Sequence, residues 1–304
     1  MKEIDRIINE GILNASFFEE ETICEFSVDL KRKKIWAISL DLLFKFDEVC
    51  RKFNIKYTLA YGSMLGLIRH KGFIPWDDDI DVFMTRTEYE KLKRIKGEFS
   101  DPYYLQLPGE NGYCYSYAKL RNSNTSAISY AFRYESFNQG IPLDIFILDN
   151  YNPETIKEQL DNARRLIREC SARMRRSNPN PNKKDLLLLS EFPATRDGAL
   201  IIADLEMILR QNDNISTDRY VCLSNLMYDL SRSVFLKEDI DTLVEADFYG
   251  HSVLVCKNSD RVLRTIYGDF MSLPLLEERG KWHSTSLFDP DTPYTYYTKN
   301  SIVA

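Results

Sequence analysis

The spacing of apolar residues changes several times along this chain, and each change marks an element. Between Asp29 and Phe53 they recur at intervals of three and four: Ile35, Ile38, Leu42, Phe46, Val49, Cys50 and Phe53. That stripe predicts one long helix, capped by Asp29, with its apolar face in the core. From Tyr57 to Tyr61 the pattern becomes almost continuously apolar and stops at Gly62-Ser63, as a buried strand entering a tight turn would. A short helical turn is expected over 64–69, then a second apolar strand at Ile80–Met84. Thr85-Arg86-Thr87-Glu88 matches a capping box opening a helix that runs to about Lys96 and closes at Gly97.

Further strands are expected at Tyr103–Leu107, at Tyr113–Leu120 (from the alternating Tyr113, Tyr115 and Tyr117) and at Ile141–Leu148. The next stretch reads as helices at about 153–176, 184–190, 197–211 and 217–230, broken by Asn-Pro repeats at 178–182. Short strands and loops return from Val234 onward, through Phe248–His251 and Val253–Val255, followed by a helix over 259–267. The Pro-, Thr- and Tyr-rich tail after Asp289 is expected to be extended. This order divides the chain into an N-terminal extension (1–28), an α/β core (29–150), a helical region (151–232) and a C-terminal segment (233–304).

Composition narrows the class. At 304 residues, 44% hydrophobic and 28% charged, the chain is ordinary for a globular protein. The net charge of −6 lacks the basic footprint of a nucleic-acid binder, so no nucleic-acid partner is expected. No apolar run is long enough to span a bilayer and the N-terminus lacks the order of a signal peptide, so a cytoplasmic location is expected. The Arg-rich run from Arg164 to Arg176 would suit peripheral contact with the inner membrane face, although a solvated helix face is the plainer use. Six scattered cysteines form no CxxC pair, and three histidines are too few for a His-rich metal centre.

The chemistry concentrates at Asp77, Asp78, Asp79 and Asp81, four carboxylates in five positions between Ile74-Pro75-Trp76 and Val82-Phe83. A solvated acidic turn would be polar throughout, and this one is not. On a strand Asp79 and Asp81 share a face, joined by Asp77 if the strand reaches back that far, while Asp78 faces away. Like charges so close need a cation, and all-oxygen ligation suits Mg²⁺, with Mn²⁺ as the alternative. Asp144, the lone charge in the apolar strand IPLDIFIL, becomes a further metal-facing carboxylate or the general base; a salt-bridged structural Asp is the competing reading. Backbone amides at Gly62-Ser63 could hold phosphate oxygens. Lys119 and Arg121 share a strand face and are candidates to stabilise a diphosphate, equally well read as exposed strand-end charges. His70 and Lys71, with Arg69 before them, sit beside the acidic run and are candidates to contact a phosphate, a surface turn being the plainer reading. Trp76, Tyr115 and Tyr117 are candidates to stack on a base or enclose a quaternary ammonium, although core packing is the commoner use of such rings. Gly-Ser, then Asp-x-Asp, then one Asp on a third strand resembles the nucleotidyltransferase type of α/β fold: a mixed sheet flanked by helices, with a mainly helical insertion.

At family level the run Gly62-Ser63-Met64-Leu65-Gly66, Arg69-His70-Lys71-Gly72-Phe73-Ile74-Pro75-Trp76-Asp77-Asp78-Asp79-Ile80-Asp81-Val82 resembles the signature of the LicD family, which includes the fukutin-type transferases. Lys119-Leu120-Arg121 with Thr125, Gly140–Phe146, and Tyr267-Gly268-Asp269-Phe270 with Pro274, Glu278-Arg279 and His283 resemble its later blocks. The resemblance spans about residues 30–285, departing where Gly-Ser replaces the commoner Gly-Thr. It implies a phosphodiester-forming transferase that moves a phospho-alcohol from a CDP-alcohol, CDP-choline above all, to a hydroxyl of a lipopolysaccharide, teichoic acid or capsule precursor. It also implies that the C-terminal segment completes the site through Arg279 and His283, and that the acceptor glycan is in some cases lipid-linked. Two other readings stay open: a nucleotidyltransferase that releases pyrophosphate from CTP or ATP, and a non-catalytic nucleotide-binding protein of the same fold.

Overall fold

A computed structural model describes residues 3–194, 196–225, 228–280 and 285–300. Helix α1 (Glu3–Asn9) and the hairpin β1 (Glu21–Ile23)–β2 (Phe26–Val28) lead into α2 (Leu30–Lys52), with Asp29 capping the Arg32 N–H as expected. The predicted stripe of α2 is buried apart from the half-buried Phe53, but so are Trp36, Ala37, Leu40, Leu43 and Phe44 on its other faces. This helix is enclosed rather than amphipathic, because β6, β8, β12, α1 and the turn over 15–18 all pack around it. Each large apolar side chain so buried contributes about 1.5–3 kcal/mol.

Next come β3 (Thr58–Leu59), α3 (Tyr61–His70), β4 (Asp81–Thr85), α4 (Arg86–Arg94), β5 (Tyr103–Gln106), β6 (Ala118–Asn122), β7 (Ser126–Ser129) and β8 (Ile141–Asn150). The helical region is α5 (Ile156–Arg175), α6 (Lys183–Glu191) and α7 (Gly198–Leu209), and the chain continues through β9 (Arg219–Val221), β10 (Val234–Leu236), α8 (Lys237–Asp241), the hairpin β11 (Leu243–Phe248)–β12 (His251–Cys256), α9 (Ser259–Tyr267), β13 (Thr285–Asp289) and α10 (Tyr294–Asn300). The fold is α/β, as the residue pattern predicts.

Its spine is β8. One edge pairs in parallel with β4, which pairs antiparallel with β3. The other edge takes β6 along its first half and β9 at its end, with β5 beyond β6 and β10 beyond β9, making seven strands. A second apolar cluster joins α5 and α7 to Tyr113, Phe132 and Phe137.

Several expectations are corrected. The strand at Tyr113–Leu120 begins only at Ala118: the segment before it is held by ring packing instead, Tyr113 stacked on Tyr115 at 5.0 Å and the two set edge-on against Phe137 and Phe132. The helix expected over 217–230 is replaced by β9, whose Tyr220 and Val221 extend the sheet beside Asn150 and Asp149. The tail after Asp289 turns helical at Tyr294 rather than staying extended. Phe248–His251 is the hairpin turn, with Tyr249 and Gly250 at positive φ. The capping box does not form at Thr85: Glu88 instead accepts the Lys56 N–H at 2.9 Å, tying α4 to the entry of β3.

Candidate functional site

The site is built where β3 hands over to α3. The strand stops at Leu59, and Tyr61, at φ +39°, turns the backbone directly into a ten-residue helix, longer than the expected turn over 64–69. Ser63 lies in the first turn and its Oγ accepts the Asp81 N–H at 2.8 Å, joining the start of α3 to the start of β4. Gly62 is required by its neighbour: a Cβ there would stand 2.4 Å from Asp77 Oδ2.

The acidic turn is clamped from behind. Trp36 Nε1 and Arg32 Nη1 of α2 both donate to the Asp77 carbonyl at 2.8 Å, and Phe73 stacks on Trp36 at 4.8 Å. So held, carboxylate oxygens of Asp77, Asp78 and Asp79 lie within 4.8 Å of one another. The expected alternation is corrected here: 77–80 is not strand, and Asp78 turns toward its neighbours instead of away. Three half-buried carboxylates in one small volume form an all-oxygen donor set that fits a hard divalent ion.

Strand register brings the other acid in. Asp81 and Asp144 are direct partners on adjacent parallel strands, Lys119 is the partner of Asp144 on the far side, and Gln106 is the partner of Lys119. These four polar groups therefore form a row across four strands on one sheet face. Lys119 Nζ donates to both oxygens of Asp144, at 2.7 and 2.8 Å, with both residues less than a tenth exposed. Burial lowers the Lys119 pKa, against the opposing pull of Asp144. Arg121, one step along the same face, is also buried; it donates to Gln106 Oε1 and the Gly140 carbonyl. Neither cation is an exposed strand-end charge.

A cationic cluster borders the turn. Arg69 donates through Nη1 to the carbonyls of Phe270 and Ser272 and through Nε to His70 Nε2 at 2.9 Å. That last bond needs a lone pair on Nε2, so the neutral ring carries its proton on Nδ1. Burial, then Arg69 and Arg279, hold the His70 pKa down at about 4. Arg279 lies 4.9 Å over the Trp76 ring and donates to the Pro274 and Cys24 carbonyls. Trp76 is itself buried against Phe26 and His70. Lys71 takes the left-handed conformation that ends α3 and is exposed. His283 lies outside the described residues.

Two residues escaped a functional reading. Tyr228 stacks on Tyr61 at 5.4 Å, and its hydroxyl donates to that of Tyr267 at 3.4 Å. Burial chiefly pushes both phenols upward, followed for Tyr267 by its contact with Tyr228, and the fields of Asp81 and Asp77 add to the rise. Tyr267 stands in the family-like block without a role attached. Nothing in the spacing around Tyr228 distinguishes it from a core tyrosine.

Residues 54–169 match the family model described as "LicD/FKTN/FKRP, nucleotidyltransferase domain". The chain is 29% identical over 256 residues to the lipopolysaccharide cholinephosphotransferase LicD of Haemophilus influenzae, covering 81% of this chain and 93% of that protein. An uncharacterized protein of Rickettsia prowazekii is 32% identical over 117 residues, 38% of this chain and 41% of its own length. The matched segments contain the acidic turn and the Asp144 strand.

Proposed function

Because the chain belongs to the LicD family and is an enzyme of that kind, we propose that it transfers phosphocholine from CDP-choline, releasing CMP, to a hydroxyl of a lipopolysaccharide-type cell-surface glycan. The observation that carries this reading is the convergence of Asp77, Asp78 and Asp79 beside the register pair Asp81 and Asp144. In the transfer, the acceptor oxygen bonds to the choline-bearing phosphorus, the bond from that phosphorus to the bridging oxygen breaks, and CMP leaves with the electron pair. Asp144, its carboxylate oriented by Lys119, would take the acceptor's proton.

Asp77, Asp78 and Asp79, with Asp81 next to them, would hold Mg²⁺ or Mn²⁺, which when bound shields the pyrophosphate charge. The start of α3 at Gly62 and Ser63 would face the donor's phosphates, since its first-turn amides point out of the helix. The half-buried Tyr228 and Tyr267 rings, which feel the fields of Asp81 and Asp77, suit a quaternary ammonium better than the buried Trp76 does. No described helix is long and apolar enough to cross a membrane.

The experiment is a panel of CDP-choline, CDP-ethanolamine, CDP-glycerol and CDP-ribitol with Mg²⁺, with and without lipopolysaccharide, teichoic acid and capsule acceptors, scored for CMP. Acceptor-dependent CMP release favouring CDP-choline is expected. Pyrophosphate release from CTP or ATP with no CMP from any CDP-alcohol would replace this reading with a nucleotidyltransferase.

A further inference from the structure

A cavity of about 470 Å³ opens at the far end of the same sheet face, where β4 passes into α4 and β8 ends. Asn150 in its wall lies six positions beyond Asp144 on one strand, about 20 Å at roughly 3.3 Å per residue. The buried rings of Phe83 and Phe146 fill the sheet between the two places. The cavity is therefore separate from the carboxylate site, and its volume is that of a small-molecule pocket.

Its charge is of the opposite sign. Arg86, Lys91, Arg94, Arg210 and Lys237 line it against only Glu90 and Asp213. Arg86 is neutralised by Asp149 and Glu206, and Arg210 by Glu90 and Asp213, so these four ion pairs build the wall. Lys91 pairs with Glu88. Arg94 and Lys237 are left: among the described residues, neither has a carboxylate within ion-pair distance, and Lys237 only overlies the Tyr220 ring at 4.8 Å. A concave wall with two such cations and the Thr87 hydroxyl recognises a compact anion, and a guanidinium and an ammonium lining one cavity suit the oxygens of a phosphate.

We propose that this cavity binds a phosphorylated sugar, held through its phosphate by Arg94 and Lys237. The phosphosugar could be a free metabolite or a phosphorylated residue of the acceptor glycan. Either would reach this cavity without displacing a donor at the carboxylates.

The test is calorimetry on the full chain in EDTA, which removes divalent-dependent binding at the carboxylates. The probes are glucose 6-phosphate, glucose, and a core oligosaccharide with and without its phosphates. Glucose 6-phosphate is expected to bind and glucose not, and Arg94→Ala/Lys237→Ala should weaken binding at least tenfold while Asp79→Ala leaves it unchanged. Tighter binding of the phosphorylated oligosaccharide than of glucose 6-phosphate assigns the site to the acceptor; the reverse assigns it to a metabolite. Equal binding of glucose, equal affinity in the double variant, or no heat with any phosphorylated probe overturns the proposal. Because no turnover is measured, these outcomes are independent of the transferase reading. Both substituted side chains reach solvent, and a melting curve matching the parent confirms that the variant folds.

Discussion

Lys119 and Asp144 form a buried ion pair in which one ammonium meets both carboxylate oxygens, at 2.7 and 2.8 Å, directly beside Asp81. Removing one partner leaves the other charged and buried, which costs about 3–5 kcal/mol. Lys119→Met should therefore lower Tm by roughly 10 °C, and Lys119→Met/Asp144→Leu should recover most of that loss by replacing both charges. Activity should not follow stability: if Asp144 takes the acceptor's proton, the recovered double variant stays inactive. Thermal melts read with CMP release separate the two, and a Lys119→Met protein that melts with the parent would remove the ion pair from the account.

Two glycines of α3 separate activity from stability. A Cβ at Gly62 would stand 2.4 Å from the movable Asp77 carboxylate, whereas a Cβ at Gly66 would stand 2.4 Å from the Gly72 carbonyl and 3.1 Å from the Ile74 nitrogen, both backbone. Gly62→Ala should keep its melting temperature and lose about 10–100-fold in turnover, because displacement of a positioned group by about 1 Å is felt at that scale. Gly66→Ala should instead lose about 1–3 kcal/mol of stability by overpacking. Denaturant titration with kinetics on both variants checks the contrast.

How far the chain could be read follows from which forces are local. The α2 stripe, the Asp29 cap and the β8 strand rest on spacing within one segment, and all three stand as expected. The Tyr113–Tyr117 segment and the stretch at 217–230 depart from the local pattern because their conformation is set by partners far along the chain: edge-on ring packing against Phe132 and Phe137 in one case, pairing to the end of β8 in the other. Within the site, Asp81 and Asp144 were visible as charges that apolar strands do not otherwise carry, and register makes them neighbours. The partnership of Asp144 with Lys119 was not visible, because it depends on which strand lies across from β8. Period-two alternation puts Asp78 on the far face, and it fails there because residues 77–80 turn instead of running as strand.

On an alternating strand Asp78 would be a bystander, whereas in the observed turn it offers an oxygen within 4.8 Å of those of Asp77 and Asp79. Asp78→Asn should reduce turnover at least about tenfold and shrink the rise in Tm on adding Mg²⁺, which reports binding to the folded state. Asp79→Ala should do both more severely, by at least about 100-fold in turnover, while melting no lower than the parent without divalent ion, since it relieves like-charge repulsion. Unchanged Mg²⁺ response in Asp78→Asn would place that residue outside the ion's reach.

His70 is half-buried, and that burial, followed by Arg69 and Arg279, holds it at about 4, below its ordinary 6.5. At pH 7 the ring is neutral in both the folded and unfolded chain, so its environment imposes no protonation penalty. As pH falls through 6.5 the unfolded chain binds a proton that the folded chain refuses, and stability declines until about pH 4, below which the loss is complete. The ring is only half-buried, so solvent screening reduces the effect below its unscreened size. His70→Asn removes the titration and should narrow the difference in Tm between pH 7 and pH 4.5, with the two proteins diverging most at the acid end. An NMR titration of the His70 ring gives the direct reading. A midpoint near 6.5 in the folded protein would mean that neither burial nor Arg69 holds the ring neutral, and the pH dependence of the two proteins would then coincide.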